Sequence, residues 1–230
     1  MRLLATALAL SLAFGGGASA ARHKEALLLG DSVLATLGWT NEGLKLLESR
    51  HPFILRAVSC QRLVTEGCTG RSKTSALRIM RQERGRFSKA VVVATGYNDY
   101  NDGRFPEAVR TFHEEAVKQG VWLVWVNYRE AGNVRAKSTT FNATLERLKR
   151  ELPRLVVVDW NELSRGQRSW WGPDQVHLYA EGAVAMARAI ADALSALPED
   201  FPSGLGESAV ARQRIPLRQF QSMAPEQLSV

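Results

Sequence analysis

Two short motifs stand near opposite ends of this 230-residue chain: Gly30-Asp31-Ser32, directly after an apolar run, and Asp174-Gln175-Val176-His177, just before the last long helical pattern. A serine hydroxyl is a weak nucleophile at neutral pH. It needs an imidazole to take its proton and a carboxylate to set the imidazole tautomer. Ser32, His177 and Asp174 supply those three groups, and the chemistry they would perform is attack on a carbonyl carbon with a covalent acyl intermediate. Neither motif is specific alone, because Gly-Asp-Ser is also an ordinary turn or helix cap and Asp-x-x-His is common in loops.

The chain holds four histidines. His23 lies near the start, His51 follows the Ser49-Arg50 end of a helical pattern, and His113 falls inside an amphipathic stretch. Only His177 occupies a polar loop with a carboxylate three residues earlier, a spacing at which one turn of loop brings Asp174 under Nδ1 and leaves Nε2 facing outward. Gly96-Tyr97-Asn98-Asp99 adds a third piece. The Asn98 amide can donate to the oxyanion that forms during acyl transfer, although an Asn-Asp turn after a strand is also a commonplace loop.

These residues need a scaffold, and the hydrophobic pattern describes one. Apolar runs at Ala26 to Leu29, Phe53 to Val58, Ala90 to Ala94, Val121 to Asn127 and Leu155 to Trp160 read as strands. Their near-continuous hydrophobicity fits parallel strands covered on both faces. Amphipathic stretches lie between them at Asn41 to Glu48, Ser72 to Gln82, Pro106 to Gln119 and Thr139 to Glu151, with a last one at Ala180 to Leu197. Alternation of this kind predicts a three-layer α/β/α sandwich with a flavodoxin-like five-stranded parallel sheet in the order 2-1-3-4-5. Ligands in such sheets bind outside the carboxyl ends of the strands. Ser32, Cys60, Asn98 and Asn127 follow strands one to four and are expected to face one crevice.

In these blocks and their order the chain resembles the SGNH (GDSL) hydrolases over roughly Ala26 to Leu197. Gly30-Asp31-Ser32 is similar to the nucleophile block, Gly96-Tyr97-Asn98-Asp99 to the Gly-x-Asn-Asp block, and Asp174-Gln175-Val176-His177 to the Asp-x-x-His block. The resemblance implies Ser32 as nucleophile, His177 as general base and Asp174 as its orienting partner, with Asn98 and the Ser32 N–H as oxyanion donors. Two departures stand out. Val33 replaces a usual leucine, and the glycine of the second block, another oxyanion donor, has no match in Val58-Ser59-Cys60-Gln61-Arg62. Cys60 or Gln61 would then supply that N–H, or Gly67 or Gly70 would take its place.

Aromatic residues near the motifs, Tyr97, Tyr100, Trp170 and Trp171, could line the crevice for sugar rings or acyl chains, with core packing the other reading for the tryptophans. Tyr97 and Trp171 are the substrate-binding candidates. Arg129 could pair with a substrate carboxylate or serve as a surface charge.

Arg2, the apolar segment Leu3 to Phe14, a glycine run and Ala18-Ser19-Ala20 have the form of a signal peptide cleaved after Ala20. Residues 1–20 are therefore expected to be a leader, 21–197 the folded domain, and the Pro-, Gly- and Gln-rich stretch 198–230 a poorly ordered tail. Export to the periplasm or beyond favours a disulfide between the two cysteines, Cys60 and Cys68. No later segment is long and apolar enough to span a bilayer. The net charge of +7 is scattered among acidic residues, without the interleaved basic and aromatic patch of a nucleic-acid site.

These observations lead to an exported serine esterase acting on a small-molecule or glycan ester, an O-acetyl group among the candidates, with no metal or cofactor. The alternatives are an O-acyltransferase acting on envelope polysaccharide and a non-catalytic carbohydrate-binding module of the same fold.

Overall fold

The computed structural model describes residues 24–198 apart from 69, 71 and 72. The leader expected over 1–20, and all of the expected tail but Pro198, lie outside the described residues. Five strands, β1 (Lys24–Gly30), β2 (Phe53–Ala57), β3 (Phe87–Ala94), β4 (Trp122–Val126) and β5 (Leu155–Val158), form one parallel sheet in the order β2-β1-β3-β4-β5. Among the described residues seven helices connect or follow them: α1 (Ser32–Ala35), α2 (Asn41–Arg50), α3 (Ala76–Gln82), α4 (Phe105–Gln119), α5 (Arg135–Glu151), α6 (Trp160–Leu163) and α7 (Ala180–Ser195). Short 3₁₀ turns at Thr36–Gly38, Gly132–Val134 and Arg168–Trp170 complete the connections.

The strands are apolar throughout because both faces are covered. Leu28, Val92 and Val124 pack with α1, α2 and α7, while Leu27, Leu29, Val91, Val93, Leu123 and Trp125 pack with α3, α4 and α5. Each such side chain, when fully buried, contributes roughly 1.5 to 3 kcal/mol. The double-sided core therefore holds the sheet rigid under whatever its carboxyl edge carries.

Element ends shift where side chains cap. Ser75 accepts a hydrogen bond from the Arg78 N–H at 3.2 Å and starts α3 at Ala76, later than the Ser72 expected. Trp160 opens α6 instead of closing β5, because Asp159 caps the Glu162 N–H. α5 begins at Arg135, ahead of the expected Thr139, since its first turn is polar and carries no apolar rhythm to read.

Candidate active site

Ser32 is the first residue of α1, and the residue types around it explain why the chain turns there. Gly30 ends β1 because α1 folds straight back over it, and a Cβ at that position would overlap the Leu34 side chain. Asp31 caps the helix, its Oδ1 accepting from the Val33 N–H at 3.0 Å. The Ser32 N–H belongs to the first turn, which has no intrahelical acceptor for it.

The loop after the Arg168–Trp170 turn brings the second motif to the same edge. Trp171 and Leu178 form an isolated antiparallel bridge, and Gln175 takes a left-handed φ of 59° that closes a tight turn beneath it. Asp174 Oδ1 then accepts from the Val176 and His177 N–H groups at 3.0 Å each. Its Oδ2 lies 2.5 Å from His177 Nδ1. That contact holds the ring proton on Nδ1 and leaves the Nε2 lone pair free. Ser32 Oγ lies 2.8 Å from Nε2, close enough to donate its proton to it. Burial works to raise the Asp174 pKa, but the His177 ring and the two backbone N–H groups outweigh it and hold the carboxyl down at about 2.

Asn98 stands beside this array on the loop after β3. Gly96 there has φ of 141°, and a Cβ on it would run into the Tyr128 hydroxyl. The Asn98 amide nitrogen is 3.3 Å from the Gln61 carbonyl and 3.5 Å from Asp31 Oδ2. Asp31, which sequence reasoning left without a role, is the hub of the edge. Fully buried, its Oδ2 also takes the Thr95 hydroxyl and the Gly96 N–H, each at 3.3 Å. Burial pushes its carboxyl up to about 6 against those hydrogen bonds.

Two cations that no motif announced hold the Asn98 loop from outside. Lys137 of α5 donates to the Tyr97 and Asp99 carbonyls at 2.6 and 2.9 Å, and the Arg62 Nε donates to the Asn98 carbonyl at 2.9 Å. Three successive carbonyls are thus fixed by side chains from two other segments. Asp99 itself accepts from the Leu63 N–H, and burial raises its carboxyl to about 7.

Cys60 stands where the second-block glycine was expected. Its φ of 66° lies in the left-handed region that favours glycine. It is bonded to Cys68, with a Cα–Cα separation of 5.5 Å inside the usual disulfide range. Its Sγ is 3.8 Å from Asn98 Oδ1, and among the described residues its N–H takes no backbone acceptor. A Cβ on Gly70 would meet no described atom within 4 Å.

Trp171 is buried, 5% exposed, because it fills the space between Trp160 and the Arg129 guanidinium, which stacks on it at 4.1 Å. It supports the site wall from beneath and offers no face to a substrate. Arg129 is accordingly neither free nor a surface charge; it also donates to the Ser164 carbonyl. Asn127 turns inward to Asp159 and to the Asn161 N–H. The Tyr97 hydroxyl accepts from the Arg129 N–H at 2.8 Å and so faces the protein. Among the described residues the exposed aromatics are Trp39, Tyr100 and Tyr179.

A cavity of about 580 Å³ opens beside His177 and Asp174, lined also by Thr36, Trp39, Pro173 and Tyr179. Among the described residues no cluster of His, Cys, Asp or Glu could hold a metal, and no helix is long and apolar enough to cross a membrane.

The sheet order and the three layers make an α/β/α fold of the kind found in SGNH hydrolases. Solved structures share it. The catalytic domain of Streptococcus pneumoniae peptidoglycan O-acetyltransferase A is 23% identical, with a TM-score of 0.55 over 75% of this chain and 93% of that one. The psychrotrophic esterase EstA from a Pseudoalteromonas species is 15% identical, with a TM-score of 0.58 over 75% and 97%. A Slackia heliotrinireducens protein described as an SGNH hydrolase is 16% identical, with a TM-score of 0.58 over 74% and 97%. No protein-family model and no curated protein sequence matches the chain.

Proposed function

We propose that this chain is an exported serine ester hydrolase that acts on O-acetylated carbohydrate. The observation that carries the reading is the series Ser32 Oγ, His177 Nε2, His177 Nδ1, Asp174 Oδ2, joined at 2.8 and 2.5 Å beside the Asn98 loop. His177 takes the Ser32 proton as Oγ adds to the ester carbonyl. The oxyanion is met by the N–H groups of Ser32 and Cys60 and by the Asn98 amide. His177 then returns the proton to the leaving alcohol as the tetrahedral intermediate collapses, the ester C–O bond breaking and the acyl group staying on Ser32. Water, deprotonated by the same imidazole, releases the acid and restores Ser32.

Export is supported by the leader-like first twenty residues and by a disulfide suited to an oxidising compartment. A carbohydrate ester is supported by the likeness to a peptidoglycan O-acetyltransferase domain and by the exposed aromatics at the site. That likeness also favours a second reading: a sugar hydroxyl replacing water would turn the same acyl-enzyme into an O-acyltransferase.

The test is labelling with a fluorophosphonate probe together with p-nitrophenyl acetate turnover, comparing wild type, Ser32→Ala and Asn98→Ala. Labelling and turnover that vanish in Ser32→Ala, with turnover falling roughly 10² to 10³-fold in Asn98→Ala, are expected. Folded wild-type protein that neither labels nor turns over would instead be a binding module.

A further inference from the structure

The cavity beside His177 lies on one side of the nucleophile only. Its wall contains Asp174 and His177 but not Ser32, Cys60 or Asn98. In acyl transfer the acyl oxygen must point at the oxyanion donors, while the imidazolium hands its proton to the departing alcohol. A cavity on the imidazole side therefore receives the alcohol half of an ester, and one on the Asn98 side would receive the acyl half. The cavity against the Asn98 loop lined by Asp99 and Tyr100 is about 30 Å³, far smaller than the one beside His177.

The chemistry of the wall narrows what that alcohol is. Trp39 is 72% exposed and Tyr179 54%, and both line the cavity. Such aromatics in open water, not needed by the core, suit a ring that stacks through its C–H face and keeps its hydroxyls hydrated. An acyl chain would call for an enclosed tunnel.

We infer that Trp39 and Tyr179 form a platform for a pyranose ring whose acylated hydroxyl reaches Ser32, so that the enzyme selects its substrate by the sugar and not by the acyl chain. The inference rests on the proposed hydrolase reading for its orientation, but the platform can be tested without turnover. The protein to use is Ser32→Ala, titrated with methyl 6-O-acetylglucoside while the Trp39 indole N–H resonance is followed by NMR. A saturable shift is expected, with Kd raised about tenfold by Tyr179→Ala; by isothermal titration calorimetry, which needs no indole, Trp39→Ala should raise Kd about tenfold and Trp39→Phe should largely retain it. Ethyl acetate, which shares the acetyl group and lacks the ring, should not produce the shift. No shift with the sugar, or an equal shift with ethyl acetate, overturns the platform.

In the active enzyme, kcat/KM for the acetylglucoside relative to ethyl acetate should fall about tenfold in Trp39→Ala; an unchanged ratio overturns the inference. If wild type hydrolyses neither ester while the sugar still binds through Trp39, the hydrolase reading falls and the platform stands.

Discussion

Two Ser–His–carboxylate arrays stand at opposite edges of this sheet. At the carboxyl edge Ser32, His177 and Asp174 are joined at 2.8 and 2.5 Å. At the amino edge Ser195 Oγ lies 2.9 Å from His51 Nε2, and His51 Nδ1 lies 2.8 Å from Glu25 Oε2. By distance the two are nearly alike. They differ in where the serine falls on its helix. Ser32 opens α1, where N–H groups are left over to meet a developing oxyanion; Ser195 closes α7, where the spare groups are carbonyls and its own hydroxyl donates to the Ala191 carbonyl at 3.0 Å. His51 is buried and shares Nε2 with that same carbonyl, whereas His177 faces a cavity. Hydrogen-bond geometry alone does not make a nucleophile. The second array is a strut that ties β1, the end of α2 and the end of α7 together.

The contrast can be broken most forcefully with the two serines. Ser32→Ala should abolish fluorophosphonate labelling and cut kcat by on the order of 10⁶, whereas Ser195→Ala should label like wild type. Labelling that depends on Ser195 would reverse the assignment. Next in size, Asp174→Asn should lower kcat about 10⁴-fold, because the amide no longer holds the proton on Nδ1. A circular-dichroism spectrum matching wild type, alongside that loss, would place the effect in the imidazole and not in the fold.

Buried carboxyls separate the two edges in stability. Asp99 titrates at about 7 in the folded chain against an ordinary 3.8, so the native state holds a proton that the unfolded state releases. Stability from this group is therefore highest below pH 4 and declines as pH rises from about 4 through 7. Asp99→Asn, whose amide oxygen can still accept from the Leu63 N–H, should raise Tm relative to wild type above pH 7 and change it little below pH 4. Melting curves across pH 4 to 9 check this, and a constant offset at all pH values would refute it. Smallest is the strut: His51→Ala should cost on the order of 1 to 3 kcal/mol in urea denaturation while probe labelling of Ser32 persists.

Which parts were legible follows from the range over which each residue acts. Gly30, Asp31 and Ser32 announce themselves because a strand end and a helix start meet within three residues, and Asp174 and His177 because one turn of loop joins them. Asp31 as a hub was not legible: its partners Thr95, Gly96 and Asn98 come from the loop after β3, a strand that lies next to β1 only after pairing. Lys137 reaches the Asn98 loop from 40 residues away and sits in a polar helical turn that looks like any solvated face. Trp171 and Trp39 were beyond pattern reading for the same reason, since an indole beside a motif carries no mark of which way it will turn.

By itself, the order of residues determined the class of fold and the identity of the local reacting groups. Continuous apolar runs of Val and Leu can be satisfied only by a sheet covered on both faces, and short-range turns are written in neighbouring residues. Tertiary structure alone decided that His51 meets a serine at a helix end, and which aromatic faces water. Those outcomes depend on packing between segments far apart in the chain, and packing is a property of the closed core, not of any stretch of sequence.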